Sequence, residues 1–307
     1  MKPYPVTVID FQDLFPTDEA CYGYLQILRW SGGFVCPHCS HGGAWKMKKG
    51  VHRCKDCRRD VSVTAGTIFQ GTRTPLRLWF QAIWYAVNQK HGVSALGLQR
   101  ILGLKSYETA WVWMHKLRTA MVRPGRDRLH GLVEVDETLI GGPKPGKRGR
   151  GASGKVLALV AVEDREGTKQ KGIGRIRFKV IPDASGPALK DAIAEMTEPG
   201  STVRTDGWKG YNGLKEKGYE HIVVQHEEEE PGCDPTPLVH RVASLLKRWL
   251  LGIHHGRVAA SHLHYYLDEF TFRFNRCRAR SRDKLFYELI RQALMADPAP
   301  LKSLKSA

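Results

Sequence analysis

The spacing of apolar residues divides the chain into stretches of different character. Residues 156–162 form an unbroken apolar run, which marks a strand buried on both faces. Residues 173–181 alternate apolar and polar side chains and predict a strand with one buried face. Residues 132–140 predict a further strand, 202–205 a short one, and 222–225 are strand-like. Between them, 185–196 has helical spacing with Ser185 as its N-cap, and 208–217 predicts a second helix. Helices follow over about 236–251, 261–276 and 283–295. The order β-β-β-α-β-α-β-α describes a mixed sheet flanked by helices, an α/β arrangement.

The first 130 residues are patterned differently. Thr17-Asp18-Glu19 opens a helix running to about Leu28, with acids at its positive end. Residues 34–70 are rich in Gly and Cys, with β-like stretches at 50–54 and 61–63. Pro75 sits in the first turn of a helix over about 74–90. A short helix ends at Gly103 and a longer one spans about 107–122. Two helices joined by a glycine-marked turn in a basic setting predict a helix-turn-helix. The expected organisation is multidomain: 1–70 an N-terminal helix and Cys-rich ribbon, 71–128 a helical DNA-binding region, 129–280 the sheet domain, 281–307 a C-terminal helix and tail.

Charge separates these parts further. The 307 residues carry 48 Lys and Arg against 31 Asp and Glu, a net charge of +17. Residues 1–130 hold +11 of it, 131–230 are at −1, and 231–307 hold +7. A near-neutral middle between basic flanks suits a chemical core between parts that grip a polyanion, and nucleic acid is the expected partner. The N-terminal stretch has no apolar signal core and no apolar run is long enough to span a membrane, so the chain is expected in the cytoplasm.

Cys36-Pro37-His38-Cys39 and Cys54-Lys55-Asp56-Cys57 form two Cys-x2-Cys pairs 14 residues apart. Each pair fits a tight knuckle whose two thiolates face one ion, and two knuckles complete a tetrahedral site for structural Zn2+. Lys46, Lys48, Lys49 and Arg53 make this ribbon basic and are candidate phosphate contacts, as are Lys105 and Lys116 in the helical region. Trp79, Trp84, Trp111 and Trp113 recur at helical spacing and are expected in the core.

The strand Val133-Glu134-Val135-Asp136-Glu137-Thr138 holds acids within an apolar setting, with Glu134 and Asp136 on one face and Glu137 on the other. A buried acid needs a cation or hydrogen bonds. Asp206 ends another strand, in Thr205-Asp206-Gly207-Trp208. If the two strands are neighbours, their carboxylates meet at one sheet end and can hold Mg2+ or Mn2+ for phosphoryl transfer.

Together these motifs resemble the insertion-sequence transposases of the ISXO-like zinc-ribbon group, with a DDE-type catalytic domain. The resemblance is carried by the two Cys pairs, by the Ser94–Met121 region, by Val135-Asp136-Glu137-Thr138-Leu139-Ile140-Gly141-Gly142 and by Thr205-Asp206-Gly207-Trp208-Lys209-Gly210-Tyr211. Ser244-Leu245-Leu246-Lys247-Arg248, Gly252-Ile253-His254-His255 and Tyr266-Leu267-Asp268-Glu269-Phe270 continue it in the family's order. It implies an RNase H-like core, two-metal cutting of double-stranded DNA at terminal inverted repeats, strand transfer into target DNA, and a homo-oligomer holding two ends. Asp136 resembles the first catalytic acid and Asp206 the second. Many members carry the third as Glu in an Asn-Thr-x-Glu motif, four residues before Ser-Leu-Leu-Lys-Arg.

That position is His240 here, and some relatives have Asn or His at this place. Imidazole ligates Mn2+ and, less readily, Mg2+. Asp234 and the four glutamates at 227–230 are the other acids in reach, although such a run is ordinarily a solvated loop. Lys247 lies two helical turns beyond His240 on the same face and matches the family's Lys, a phosphate contact. Lys147, Arg148, Arg248, Arg278 and Arg280 are further candidate DNA contacts. The alternatives are a catalytically inactive or repurposed zinc-ribbon DNA-binding protein, or an RNase H-like nuclease without strand transfer.

Overall fold

A computed structural model describes residues 4–123, 125–141, 154–165, 172–224, 234, 236–256, 258–277 and 283–306. The chain forms two compact units, Met1–Arg123 with Ala279–Ala307, and Pro124–Arg278.

The first unit opens with α1 (Val8–Leu14), a short helix absent from the sequence reading. Its seven residues are stabilised by a capping box in which the Thr7 hydroxyl and the Asp10 carboxylate exchange backbone N–H donors. α2 (Asp18–Arg29) is capped by Thr17. The ribbon follows as an antiparallel sheet in the order β1 (Ala44–Lys46), β2 (Val51–Cys54), β3 (Asp60–Ser62). Arg29 ties α2 to it by donating to the Val63 carbonyl at 2.6 Å. Then come α3 (Leu76–Asn88), α4 (Ala95–Leu102) and α5 (Tyr107–Ala120). α4 ends at Gly103, whose φ of 62° is left-handed and reverses the chain toward Ser106, the N-cap of α5.

The second unit is built on a five-stranded sheet: β4 (Leu132–Ile140), β5 (Val156–Asp164), β6 (Ile173–Ile181), β7 (Thr202–Thr205) and β8 (Glu220–Val223). Its spatial order is β6-β5-β4-β7-β8. β4, β5 and β6 run antiparallel in sequence, while β7 runs parallel to β4 and β8 parallel to β7. α6 (Gly186–Met196) covers one face; α7 (Pro237–His254) and α8 (Leu263–Asn275) cover the other. The unbroken apolar run of β5 follows from this. Ala158, Val160 and Val162 pack with Val242, Leu246 and Phe270 from α7 and α8, whereas Leu159 and Ala161 pack with Leu189 and Ile193 of α6.

The helix expected over 208–217 is instead two short 3-10 turns, Lys209–Tyr211 and Lys215–Lys217. Glycine explains the difference. Gly213 and Gly218 adopt φ of 83° and 85°, which a continuous helix excludes. Gly210 packs so closely that a Cβ there would stand 2.7 Å from a Leu189 methyl.

The chain ends with α9 (Asp283–Met295) and α10 (Leu301–Ser306), the latter also unread in the sequence. Residues 281–307, read from sequence as a separate tail, are grouped by the structure with the first unit. Phe286 of α9 meets Phe11, Phe15, Phe80 and Trp84 at centroid distances of 5.7–6.0 Å. Truncating such a fully buried ring costs about 3–5 kcal/mol. Trp79 stacks on Trp113 at 4.0 Å, and with Trp84 both are buried, so these tryptophans serve the core. No helix among the described residues is long and apolar enough to cross a membrane.

Candidate functional site

Two clusters of ligand-type side chains stand out, one in each unit. In the ribbon, the sulfurs of Cys36, Cys39, Cys54 and Cys57 all lie within 4.8 Å of one another. The backbone builds the two pairs alike. Ser40 and Arg58, each following the second Cys of its pair, both have φ of 59°. The Cys36 amide donates to the His41 carbonyl and the Cys54 amide to that of Arg59, each at 3.0 Å. Cys36 and Cys57 Sγ are 3.6 Å apart, and Cys39 and Cys54 Sγ 3.5 Å. A tetrahedral zinc with Zn–S bonds of about 2.3 Å requires edges of roughly 3.8 Å, so the four thiols fit that ion. Two nearby histidines are otherwise engaged: His52 is buried between Trp30 and Phe34, and His38 faces Arg59.

In the second unit, parallel pairing of β4 with β7 sets Leu132, Val133 and Glu134 opposite Thr202, Val203 and Arg204. Asp136 and Asp206 each come two residues after the last pair of that register, and the charge of Asp206 bears on Asp136. Asp206 stands just beyond β7, where its Oδ1 accepts from the Trp208 amide at 3.1 Å. Asp136 Oδ1 accepts from the Glu137 amide at 2.6 Å. Burial pushes the Asp136 carboxyl above its ordinary value and the charge of Asp206 adds to this, against the Glu137 amide and His240.

His240, in the first turn of α7, bridges two acids. Its Nε2 lies 3.1 Å from Asp136 Oδ2 and its Nδ1 2.7 Å from Asp234 Oδ2. Burial pulls its pKa down, but the bonds and charges of Asp234 and Asp136 outweigh that and raise it above 6.5. The Thr236 amide donates to Asp234 Oδ1 at 3.0 Å, and its hydroxyl to Asp136 Oδ2 at 3.3 Å. Asp234, Thr236, Asp136 and His240 thus close a ring of hydrogen bonds.

Thr236 occupies the N-cap of α7, yet its hydroxyl turns to Asp136 and leaves the helix uncapped from within. The cap comes from β4. Glu134, fully buried, accepts from the Leu238 and Val239 amides at 2.9 and 3.2 Å and pairs with Arg204 at 3.2 Å. The acid two residues before Asp136 therefore anchors the helix that carries His240. Its pattern in the sequence, an acid sharing the Asp136 face in an apolar strand, was visible; its partners were not. On the opposite face, Glu137 stands near the buried Tyr211, whose hydroxyl is pushed well above its ordinary pKa by burial and then by that carboxylate.

A cleft of about 600 Å³ opens here, lined by Asp136, His240, Ser244 and Lys247 among others. Burial, then the charge of Lys155, lowers the Lys247 ammonium from its ordinary pKa. Asp136, partly buried and subject to the charge of Asp206, with an imidazole nitrogen beside it, offers donors of the kind that suit a hard divalent cation. Their ligand atoms are less tightly drawn together than the thiols: among the described residues, only the four cysteines form a group of three or more within 4.8 Å.

The candidate DNA contacts are placed variously. Lys46, Lys48, Lys49, Lys105 and Arg248 are exposed. Arg53 is exposed but makes two bonds to Asp60, at 2.7 and 2.9 Å. Lys116 turns inward, half-buried, and donates to the Ile68 carbonyl at 3.2 Å, so it serves packing of its own unit. Lys147, Arg148, Arg278 and Arg280, like the glutamates at 227–230, lie outside the described residues.

Comparison with known proteins agrees with this layout. A family model described as an ISXO2-like transposase domain matches residues 128–275, and one described as a transposase zinc-ribbon domain matches 16–60. The chain is also similar to a protein in transposable element ISH50 of Halobacterium salinarum. They are 26% identical over 283 residues, which cover 84% of this chain and 91% of that one.

Proposed function

This chain belongs to the ISXO2-like transposases of insertion sequences that carry a zinc ribbon, and from that premise we propose that it binds the terminal inverted repeats of its own element, cuts the DNA there and joins the freed ends to a target. One observation carries the proposal: Asp136 on β4 and Asp206 just past the neighbouring parallel β7 come near enough for the charge of one to act on the other, with His240 Nε2 3.1 Å from Asp136. The strand order, with three antiparallel strands followed by two on the far side of the first, supports an RNase H-like core of the DDE type.

Asp136, Asp206 and His240 would together hold Mg2+ or Mn2+, which when bound supplies Lewis-acid activation of the attacking oxygen and neutralises charge on the leaving one. The residues of the chain do the positioning. Glu134 fixes α7, and α7 presents His240 and Lys247 to the same cleft. Lys247 offers a cation to a DNA phosphate beside the two acids. His240 stands where many relatives have Glu, so the site keeps a donor there but loses one negative charge.

DNA binding is assigned to the ribbon, with exposed Lys46, Lys48 and Lys49, and to a helix-turn-helix formed by α4 and α5, with exposed Lys105 at the turn. Two transposon ends call for at least two copies of the chain in one complex. The substrate is cellular DNA, and the proposed place of action is the cytoplasm.

The test is cleavage and strand transfer on oligonucleotides bearing the inverted repeats that flank the coding gene. Wild type in Mn2+ is expected to cut and join, and Asp136→Ala to fall to background. Unchanged cutting by Asp136→Ala would remove the activity from this site.

A further inference from the structure

We propose that Asp234 is a positioning residue that sets the tautomer of His240 and aims its Nε2 at a cation shared with Asp136. This rests on the cleft being a cation site. An ionised carboxylate only accepts hydrogen bonds, so the 2.7 Å contact between Asp234 Oδ2 and His240 Nδ1 places a hydrogen on Nδ1. Nε2 is the nitrogen that faces Asp136 Oδ2, at 3.1 Å. Both ring nitrogens face a carboxylate, and with the Nδ1 hydrogen held by Asp234, Nε2 is the nitrogen from which a cation beside Asp136 would displace the proton and take the lone pair. A carboxylate behind a ligating imidazole fixes its ring orientation and increases its basicity.

The geometry around Asp234 favours this role over that of a simple turn residue. Its two oxygens are divided: Oδ1 accepts from the Thr236 amide at 3.0 Å and shapes the entry to α7, while Oδ2 is given to the imidazole. Thr236 in turn donates its hydroxyl to Asp136 Oδ2. Asp234 therefore restores behind the histidine part of the negative charge that a glutamate would have brought directly. The site uses an Asp–His pair in place of a single acid.

Asn at 234 separates the two tasks. Its carbonyl can still accept from the Thr236 amide, which turns the NH2 group toward Nδ1. An NH2 donor there needs the Nδ1 lone pair and shifts the ring hydrogen to Nε2, the wrong tautomer for a ligand. In a His240→Glu background the same change has no imidazole to act on.

The experiment titrates zinc-loaded full-length protein with Mn2+ alone and measures bound Mn2+ by electron paramagnetic resonance, with circular dichroism melts on every variant. Asp234→Asn is expected to weaken Mn2+ binding about 10- to 100-fold in the wild-type background. In the His240→Glu background it is expected to change binding by less than about threefold. An equal loss in both backgrounds would overturn the proposal, because Asp234 would then act without the histidine. So would unaltered binding by Asp234→Asn where Asp136→Asn abolishes it. If Asp136→Asn also binds Mn2+ as wild type does, the cation reading of the cleft fails first and takes the Asp234 role with it.

Discussion

The ribbon and the cleft are both built from metal-ligand chemistry, and they differ in how the ligands are held. In the ribbon, four sulfurs stand within 4.8 Å of one another, set by two backbone knuckles of matching φ. In the cleft, Asp136, Asp206 and His240 come from the middle of a strand, the end of another and the first turn of a helix. Asp136 and His240 line an open space of about 600 Å³ and depend on Glu134, Thr236 and Asp234 for their aim. A closed four-thiolate shell leaves no position for a substrate and serves folding. An open polar site can admit a DNA phosphate, and it must be braced by residues that touch no metal. Ligand aim is set by backbone turns in the ribbon and by side-chain bonds in the cleft.

The strongest challenge to this contrast is removal of zinc. Zinc binding in such ribbons is worth about 10–16 kcal/mol of folding, so chelation or Cys54→Ser is expected to unfold the ribbon and abolish DNA binding. Metal analysis should find one zinc per chain before treatment and none after. Mn2+ binding in the cleft should survive, and its loss would show that the two sites are not independent.

A smaller effect is expected from Glu134→Ala. It leaves the Leu238 and Val239 amides without their acceptor and Arg204 with Asp164 alone, which at a fully buried position costs about 3–5 kcal/mol. Denaturant unfolding would measure it. Glu134→Gln keeps an acceptor for the helix and should lose less. Zinc content should stay at one per chain in both, since the brace belongs to the cleft alone.

The smallest effect is in pH, where the two sites should respond with opposite signs. Thiolates must be deprotonated to hold zinc, so acid weakens the ribbon. His240 has a raised pKa in the folded protein: burial lowers it, but the bond and charge of Asp234, then Asp136, more than offset this. A raised pKa contributes stability that is fully present below 6.5 and is lost as pH rises through the folded value. Metal-free protein should therefore show a melting temperature that falls from pH 6 to pH 9 more steeply in wild type than in His240→Gln. His240 is half-exposed, which keeps the effect modest.

Much of this contrast was legible in the sequence, and unevenly. The two Cys pairs announce the ribbon because ligand and backbone lie within four residues of each other. The three long strands were legible because β4, β5 and β6 each span nine residues with regular periodicity. The approach of Asp206 to Asp136 required only that β7 lie beside β4. Glu134, Asp234 and Thr236 were harder, because their partners lie about 100 residues away or in a turn whose direction depends on the fold. The inward turn of Lys116 was equally hidden, since a lysine on a helix carries no mark of which carbonyl it will reach. The 208–217 segment misled because its lysines and aromatics have helical spacing while its glycines demand otherwise.

The central claim is that His240 joins Asp136 and Asp206 as a ligand of one catalytic cation. Electron spin-echo envelope modulation of Mn2+ bound to zinc-loaded protein tests it most directly, because a ligating imidazole imprints 14N modulation on the echo. Wild type is expected to show 14N modulation from one imidazole, absent in His240→Glu with Mn2+ still bound. Wild-type Mn2+ without nitrogen modulation, or modulation that persists in His240→Glu, would contradict it.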